Sequence, residues 1–157
     1  MSEADQLTVA CASRERPPYT FVARTRVAFS DTDAQGIVYY GRYAPYFDLA
    51  RIEYLRHLGL LGMRSDADGT RIEFVMRHFS IDYHAPATFD DALGVYMRVE
   101  AIGTTSMTIR FEVVDHSGQV LAQARQVMVC VRPDVRRPHP IPPALREPIE
   151  AFEQAPA

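Results

Sequence analysis

A single helical stripe, followed by four stretches in which apolar residues recur at every second position, leaves this chain few architectures. In YGRYAPYFDLARIEYLRHLGL, residues 40–60, Tyr43, Phe47, Ala50, Tyr54 and Leu58 are spaced 4, 3, 4 and 4 apart, one face of a helix. Asp48, Arg51, Glu53 and Arg56 fall mostly off that stripe. Pro45 lies in the first turn, where it is tolerated, and Gly59 sits where a left-handed terminator belongs, so the pattern predicts a helix over 42–58. After the connector LLGMRSDADGT the period changes to two. Within 72–84, Val75, Arg77, Phe79, Ile81 and Tyr83 alternate with Met76, His78, Ser80 and Asp82. Leu93, Val95, Met97 and Val99 share one face of 93–100, and Met107, Ile109, Phe111 and Val113 share one face of 105–114. In 120–132, Val120, Ala122 and Ala124 hold one phase and Val127, Val129 and Val131 the other, which predicts a bulge or a strand buried on both faces. DHSGQ at 115–119 reads as a hairpin turn, and YTFVARTRVAF at 19–29, ahead of the helix, reads as a first strand.

A strand, a long helix and four meandering strands make an antiparallel α+β fold, a five-stranded sheet with one face covered by one helix. The other face and the sheet edges then need cover, and a homo-oligomer supplies it. The 157 residues suit one domain, with an apolar fraction of 47%, ordinary for a globular core. Residues 1–18 read as a polar tail ending in Pro17-Pro18, 19–133 as the domain, and 134–157 as a Pro-rich segment closed by a short helix near 143–152. The net charge of −3 argues against nucleic acid as a partner, since a phosphate-tracking surface shows as a basic excess. The two cysteines, Cys11 and Cys130, form no CxxC or Cys/His cluster, so neither a zinc site nor a structural disulfide is expected and a reducing cytoplasm fits. No charged-then-apolar leader pattern is seen at the start, and nowhere do about 18 apolar residues run together, so membrane insertion is not expected.

The chemistry concentrates in SDTDAQGIVYY, residues 30–40. Two carboxylates one residue apart can chelate magnesium, but no third acid is near and no phosphate-cradling glycine loop exists, so no metal is expected. Asp31 reads as a turn-tightening residue. Asp33 precedes Gly36, where backbone can approach a ligand closely, and the segment after it leads into the helix, whose first N–H groups are unpaired donors at a positive end. Such donors hold a carbonyl oxygen as it becomes negative, while a neighbouring carboxylate attacks or activates water. That pairing suits acyl transfer. The tyrosines at 39, 40, 43, 46 and 54 read as core or cleft wall, and Asp48 as a partner of Arg51 one turn on. His57 and His84 have no sequence-local partner, and Ser30, Ser80 and Ser106 lack a GxSxG-like context.

DTDAQGIVYYGRYAPYFDLARIEYLRHLGL resembles the signature of the hotdog-fold acyl-CoA thioesterases, in particular the 4-hydroxybenzoyl-CoA and Tol-Pal-associated group. Asp31, Asp33, Gly36, Val38, Tyr39, Tyr40, Tyr43, Asp48, Ala50 and Arg51 carry the match. IDYHAPATFDDAL at 81–93 is similar to that family's Tyr-x-x-Pro-x-x-x-x-Asp segment. The resemblance spans about Val22 to Val131 and implies a hotdog fold, a sheet wrapped around the central helix. It also implies protomers paired into a continuous sheet, a homodimer or homotetramer, with sites at the interface. Asp33 would be the catalytic carboxylate, as nucleophile or general base; the Tyr40 backbone N–H would polarise the thioester carbonyl, with Gly36 as the point of close approach. Ile37, Val38, Tyr39 and Tyr43 would bind the substrate, and Asp48 matches the position that contributes to the acyl pocket of the aromatic-substrate enzyme. No cofactor is implied beyond the CoA of the substrate. The turn AIGTTSM lacks the basic cluster with which the aromatic-substrate enzyme holds CoA phosphates. Arg77, Arg132, Arg136 or Arg137 would have to do so. Two other activities fit the same fold: an acyl-CoA-binding module without turnover, and a hydratase or dehydratase, which needs an acid–histidine pair not visible around Asp33.

Overall fold

The structure is a computed structural model that describes residues 10–156. In chain order it holds β1 (Ala10–Ala12), β2 (Phe21–Arg26), α1 (Tyr43–His57), β3 (Glu73–Tyr83), β4 (Ala92–Ile102), β5 (Ser106–Val114), β6 (Val120–Arg132), β7 (Arg137–Pro138) and α2 (Pro143–Gln154). The strands form one antiparallel sheet in the order β1-β2-β4-β5-β6-β3, with β7 paired to β6. The helix expected over 42–58 is α1, and Gly59 adopts a φ of +71° just past it, the backbone a helix terminator needs.

The sheet has seven strands rather than the expected five. The additions are β1 on the outer edge of β2 and β7 at the end of β6. At three and two residues they are too short to show a period. β1 falls within the stretch read as a tail, of which residues 1–9 lie outside the described residues. The change of phase expected inside β6 is absent. Ala122, Ala124, Gln126, Met128 and Cys130 all face the core, while Val127, Val129 and Val131 lie half-buried on the opposite face. The bulge sits earlier, where Leu121 is inserted opposite the Val113–Val114 step. Gln126 explains the misreading: a glutamine on the buried face is 1% exposed and accepts a hydrogen bond from Arg51 at 3.0 Å.

α1 lies across one face of the sheet. Tyr43, Tyr46, Phe47, Ala50 and Tyr54 are buried in one apolar cluster with Phe21, Val95, Met97, Ile109 and Phe111. Phe47 packs on Phe111 at 4.9 Å and on Phe79 at 5.8 Å between ring centroids. α2 joins the same cluster through Leu145 and Ile149. Its Glu153 Oε1 accepts hydrogen bonds from the Tyr54 hydroxyl (2.8 Å), the Thr20 hydroxyl (3.1 Å) and the Val99 N–H (2.8 Å). One carboxylate therefore ties the last helix to α1, to the approach to β2 and to β4. At the far side, β3 ends the path with its outer edge unpaired among the described residues, and Val75, Met76, Phe79 and Tyr83 are exposed along it. An edge of this length and polarity invites pairing with another strand.

Candidate active site

Residues 32–38 form a tight turn between two bridged residues, Thr32 and Val38. The Asp33 N–H bonds the Ile37 carbonyl at 3.0 Å, and the Gly36 N–H bonds the Asp33 carbonyl at 2.9 Å. Asp33 Oδ1 accepts the Gln35 N–H at 2.7 Å, an Asx turn. Gly36 has a φ of +77°, which other residues rarely adopt, and nothing lies within 4 Å of the place a Cβ would take. Its glycine serves the turn's backbone. Two links, Ile37 with Thr88 and the Val38 N–H to the Ala87 carbonyl (2.9 Å), fasten the turn to the segment after β3.

A short 3-10 turn, Tyr40–Arg42, then runs straight into α1. The Arg42 N–H bonds the Tyr39 carbonyl at 2.8 Å. The two amides ahead of it, those of Tyr40 and Gly41, come too early in the turn to reach one of its carbonyls. Gly41 is the glycine whose bareness matters here: a Cβ would stand 2.9 Å from the Tyr39 ring. The Tyr83 hydroxyl, arriving from the end of β3, donates to the Tyr40 carbonyl at 2.8 Å.

These pieces enclose an open cleft of about 400 Å³. Asp33, Ile37, Val38, Tyr40 and Tyr43 line it from the turn and the helix start, and Tyr83, His84 and Pro86 line it from the far side. Tyr43 and Tyr83 meet edge to face at 5.3 Å, and burial, then the neighbouring phenol, pushes the Tyr43 hydroxyl above its ordinary value. Asp31, two residues from Asp33, is spent on structure. Its carboxylate accepts from the Tyr46 hydroxyl (2.8 Å), the Ala28 N–H (3.0 Å) and Arg42 Nη2 (3.3 Å). Burial by itself would raise its pKa, and those three donors outweigh it and hold the carboxyl below the ordinary value.

The fold thus brings five of the expected site residues into one cleft. Tyr39 lies outside the lining, its ring 4.4 Å from that of Tyr40. Asp48 pairs with Arg51 at 2.9 Å. Arg77 is the extra residue of a bulge in β3, between Met76 and His78. Arg132 pairs with Asp134 at 2.7 Å, and Arg137 is beside it in the ladder. Tyr83 faces Ala122 at one end of the β3–β6 ladder and Glu73 faces Val131 at the other. Ten residues of strand separate them, about 30 Å. Within one chain Arg132 and Arg137 are therefore far from the cleft, while Arg77, six residues before Tyr83, is about 20 Å away along the strand.

Gln35, Tyr83, His84, Ala85 and Pro86 are lining residues that the sequence did not single out as site residues, and of these Tyr83 and His84 carry polar groups on the far wall. These two follow from a long-range fact, that the end of β3 lies beside the Asp33 turn, for which no local pattern exists. His84 Nε2 is 3.1 Å from Gln123 Oε1, and Gln123 Nε2 donates to Glu112 Oε2 at 2.7 Å. A carboxylate only accepts, so the amide presents its oxygen to the histidine, Nε2 carries the proton, and Nδ1 of the neutral ring keeps a lone pair.

With this geometry in view, comparison with known proteins is decisive. The model of the family described as the thioesterase-like superfamily matches residues 27–149. The chain belongs to that superfamily. The Acyl-CoA thioester hydrolase YbgC of Escherichia coli O6:H1 is 32% identical over 120 residues, covering 76% of this chain and 88% of that one. A 1,4-dihydroxy-2-naphthoyl-CoA hydrolase of Synechocystis is 29% identical over 126 residues, covering 78% of this chain and 89% of the other. Among solved structures, a probable thioesterase from Bartonella henselae superposes with a TM-score of 0.69 at 27% identity, over 77% of this chain and 98% of that one. The superfamily's hotdog architecture is the one described above, with α1 as the central helix. Among the described residues no helix is long and apolar enough to cross a membrane.

Proposed function

We propose that this protein hydrolyses an acyl-CoA thioester to a carboxylic acid and CoA, with Asp33 as the reacting carboxylate. The observation that carries the reading is the placement of Asp33 and the start of α1 on one cleft, in a chain of the thioesterase-like superfamily. A thioester is already activated. Its carbonyl oxygen gains charge as the carbon becomes tetrahedral, and the Tyr40 N–H, at the positive end of α1, meets that charge without reorganising. Asp33 then acts in one of two balanced ways. It adds to the carbonyl carbon and expels the thiolate, leaving a mixed anhydride that water opens. Alternatively it takes a proton from water as the water oxygen adds, and the thiolate leaves with that proton. One turnover in 18O-water separates them: only the anhydride route can leave label in the Asp33 carboxylate.

The walls support a short or aromatic acyl group. Tyr40, Tyr43 and Tyr83 line the cleft, so an acyl group entering it meets three aromatic rings. The name of the Synechocystis relative, a hydrolase of an aromatic acyl-CoA, agrees with that. The test is thiol release over short, aromatic and long acyl-CoAs, with Asp33→Asn alongside. That variant is expected to melt like the parent and to lose about a hundredfold or more of turnover. Wild-type turnover by Asp33→Asn would remove Asp33 from the chemistry.

His84 gives one argument to a second reading, hydration of an enoyl-CoA, because it puts an imidazole on the same cleft as an acid. Assay of enoyl-CoA hydration by the unmodified protein decides it. Activity there that exceeds thiol release would replace the hydrolase reading.

A further inference from the structure

We propose that Tyr83 is a positioning residue for this reaction, one that aims and strengthens the amide donors at the start of α1 without touching the substrate's reacting atoms. The inference rests on the hydrolase reading above. The geometry behind it is independent of Asp33.

A peptide unit is planar, so fixing its carbonyl fixes its N–H on the opposite side. The two free amides of the Tyr40–Arg42 turn belong to two successive peptide units. The first, which carries the Tyr40 N–H, has its carbonyl held by the Arg42 N–H at 2.8 Å. The second, which carries the Gly41 N–H, has its carbonyl held by the Tyr83 hydroxyl at 2.8 Å. Each donor is thus braced from behind. A hydrogen bond accepted by the carbonyl also polarises the amide, which makes its N–H a better donor. Arg42 belongs to the turn itself, whereas Tyr83 comes from β3, forty-three residues on in sequence. It ties the donors to the rigid sheet rather than to the helix end alone.

The side chain has a reason to stand where it does. Its ring meets Tyr43 edge to face at 5.3 Å, and its hydroxyl takes part in no other hydrogen bond among the described residues. Burial, then the neighbouring Tyr40 phenol, raises its pKa, so the proton it donates stays in place across the working range. Tyr83→Phe therefore removes one hydrogen bond and leaves the ring contact.

The experiment compares hydrolysis of the best acyl-CoA by the wild type, Tyr83→Phe and Asp33→Asn, with melting curves for each. Tyr83→Phe should lower kcat about tenfold, since a donor is weakened rather than lost. KM and the melting temperature should stay close to the parent's. A spectroscopic readout follows from the same geometry. Acyl-CoA held on Asp33→Asn should show its thioester carbonyl stretch below the value in water, and on the double variant with Tyr83→Phe the stretch should return part of the way. A merely structural role would not move that band. Unchanged kcat together with an unchanged carbonyl stretch overturns the proposal. Should Tyr83→Phe fail to melt cooperatively, 3,5-difluorotyrosine at position 83 keeps the shape and brings the phenol's ionisation into the assay range. Then kcat should fall as that proton is lost, and a flat profile overturns the proposal. Wild-type turnover by Asp33→Asn is a different failure: it removes the hydrolase mechanism. A fully active Tyr83→Phe beside a dead Asp33→Asn removes only the role of Tyr83.

Discussion

Asp31 and Asp33 have the same side chain and opposite tasks, and hydrogen-bond count separates them. Asp31 accepts from Tyr46, Ala28 and Arg42 and is buried; Asp33 accepts one turn amide and borders the cleft. A carboxylate with its lone pairs filled makes a poor nucleophile and a good brace. Its three donors hold the folded Asp31 carboxyl below its ordinary value of 3.8. Protonation is then harder in the folded state than in the unfolded one, so Asp31 contributes stability above the ordinary value. That contribution is lost as pH falls through the depressed, folded value. Asp31→Asn is accordingly expected to cost about 1–3 kcal/mol near neutral pH. The gap to the parent should narrow progressively below about pH 4. Urea melts at several pH values check this, and a gap that stays constant down to the acid limit would refute the assignment. In the sequence the pair was separable only in part. The turn chemistry of Asp31 and the glycine following Asp33 were visible, but the three donors to Asp31 come from Ala28, Arg42 and Tyr46, whose approach depends on the path of the chain.

At the scale of elements, legibility followed length. α1 and the long strands carry enough residues for a period to rise above accident, and each lies close to where the pattern put it. β1 and β7 carry too few. Gln126 shows the opposite failure, a single polar residue on a buried face that made a regular strand look out of phase. α2 was expected near 143–152, but its anchorage was not legible, because no local pattern links Glu153 to groups 54 to 133 residues away in sequence. In the structure it satisfies the Tyr54 and Thr20 hydroxyls and the Val99 N–H together. Glu153→Ala strips an acceptor from three partly buried donors at once. The expected loss is about 2–4 kcal/mol of unfolding free energy, less than three separate penalties because the donors share one partner. Tyr54→Phe should cost less in the Glu153→Ala background than in the parent, since its hydroxyl has then already lost its acceptor. Equal costs in the two backgrounds would show that the Tyr54–Glu153 bond contributes nothing.

The whole molecule leaves one problem that a single chain does not solve. Its cleft borders one end of β3, while Arg132, Arg136 and Arg137 gather at the other, about 30 Å away. CoA carries phosphates that need cations. The unpaired outer edge of β3, with Val75, Met76, Phe79 and Tyr83 exposed along it, offers a way to close that distance. If two copies pair these edges antiparallel about a twofold axis through the middle of the strand, the Glu73 end of one lies beside the Tyr83 end of the other. The arginine group of a second copy then stands next to this chain's cleft, and the sheet continues across both. A dimer in light scattering is the first expectation. Val75→Glu, at an exposed position, should shift the protein toward monomer while the fold melts normally, because it puts a buried charge into the pairing edge. Arg132→Ala tests the second consequence without disturbing the pairing. It should raise KM for acyl-CoA several-fold and leave KM for the matching acyl-pantetheine, which lacks the nucleotide phosphates, unchanged. An equal rise for both thioesters would mean that Arg132 acts on the fold or the acyl group rather than on phosphate. A fully active monomer from Val75→Glu would mean that each chain holds CoA with its own cations.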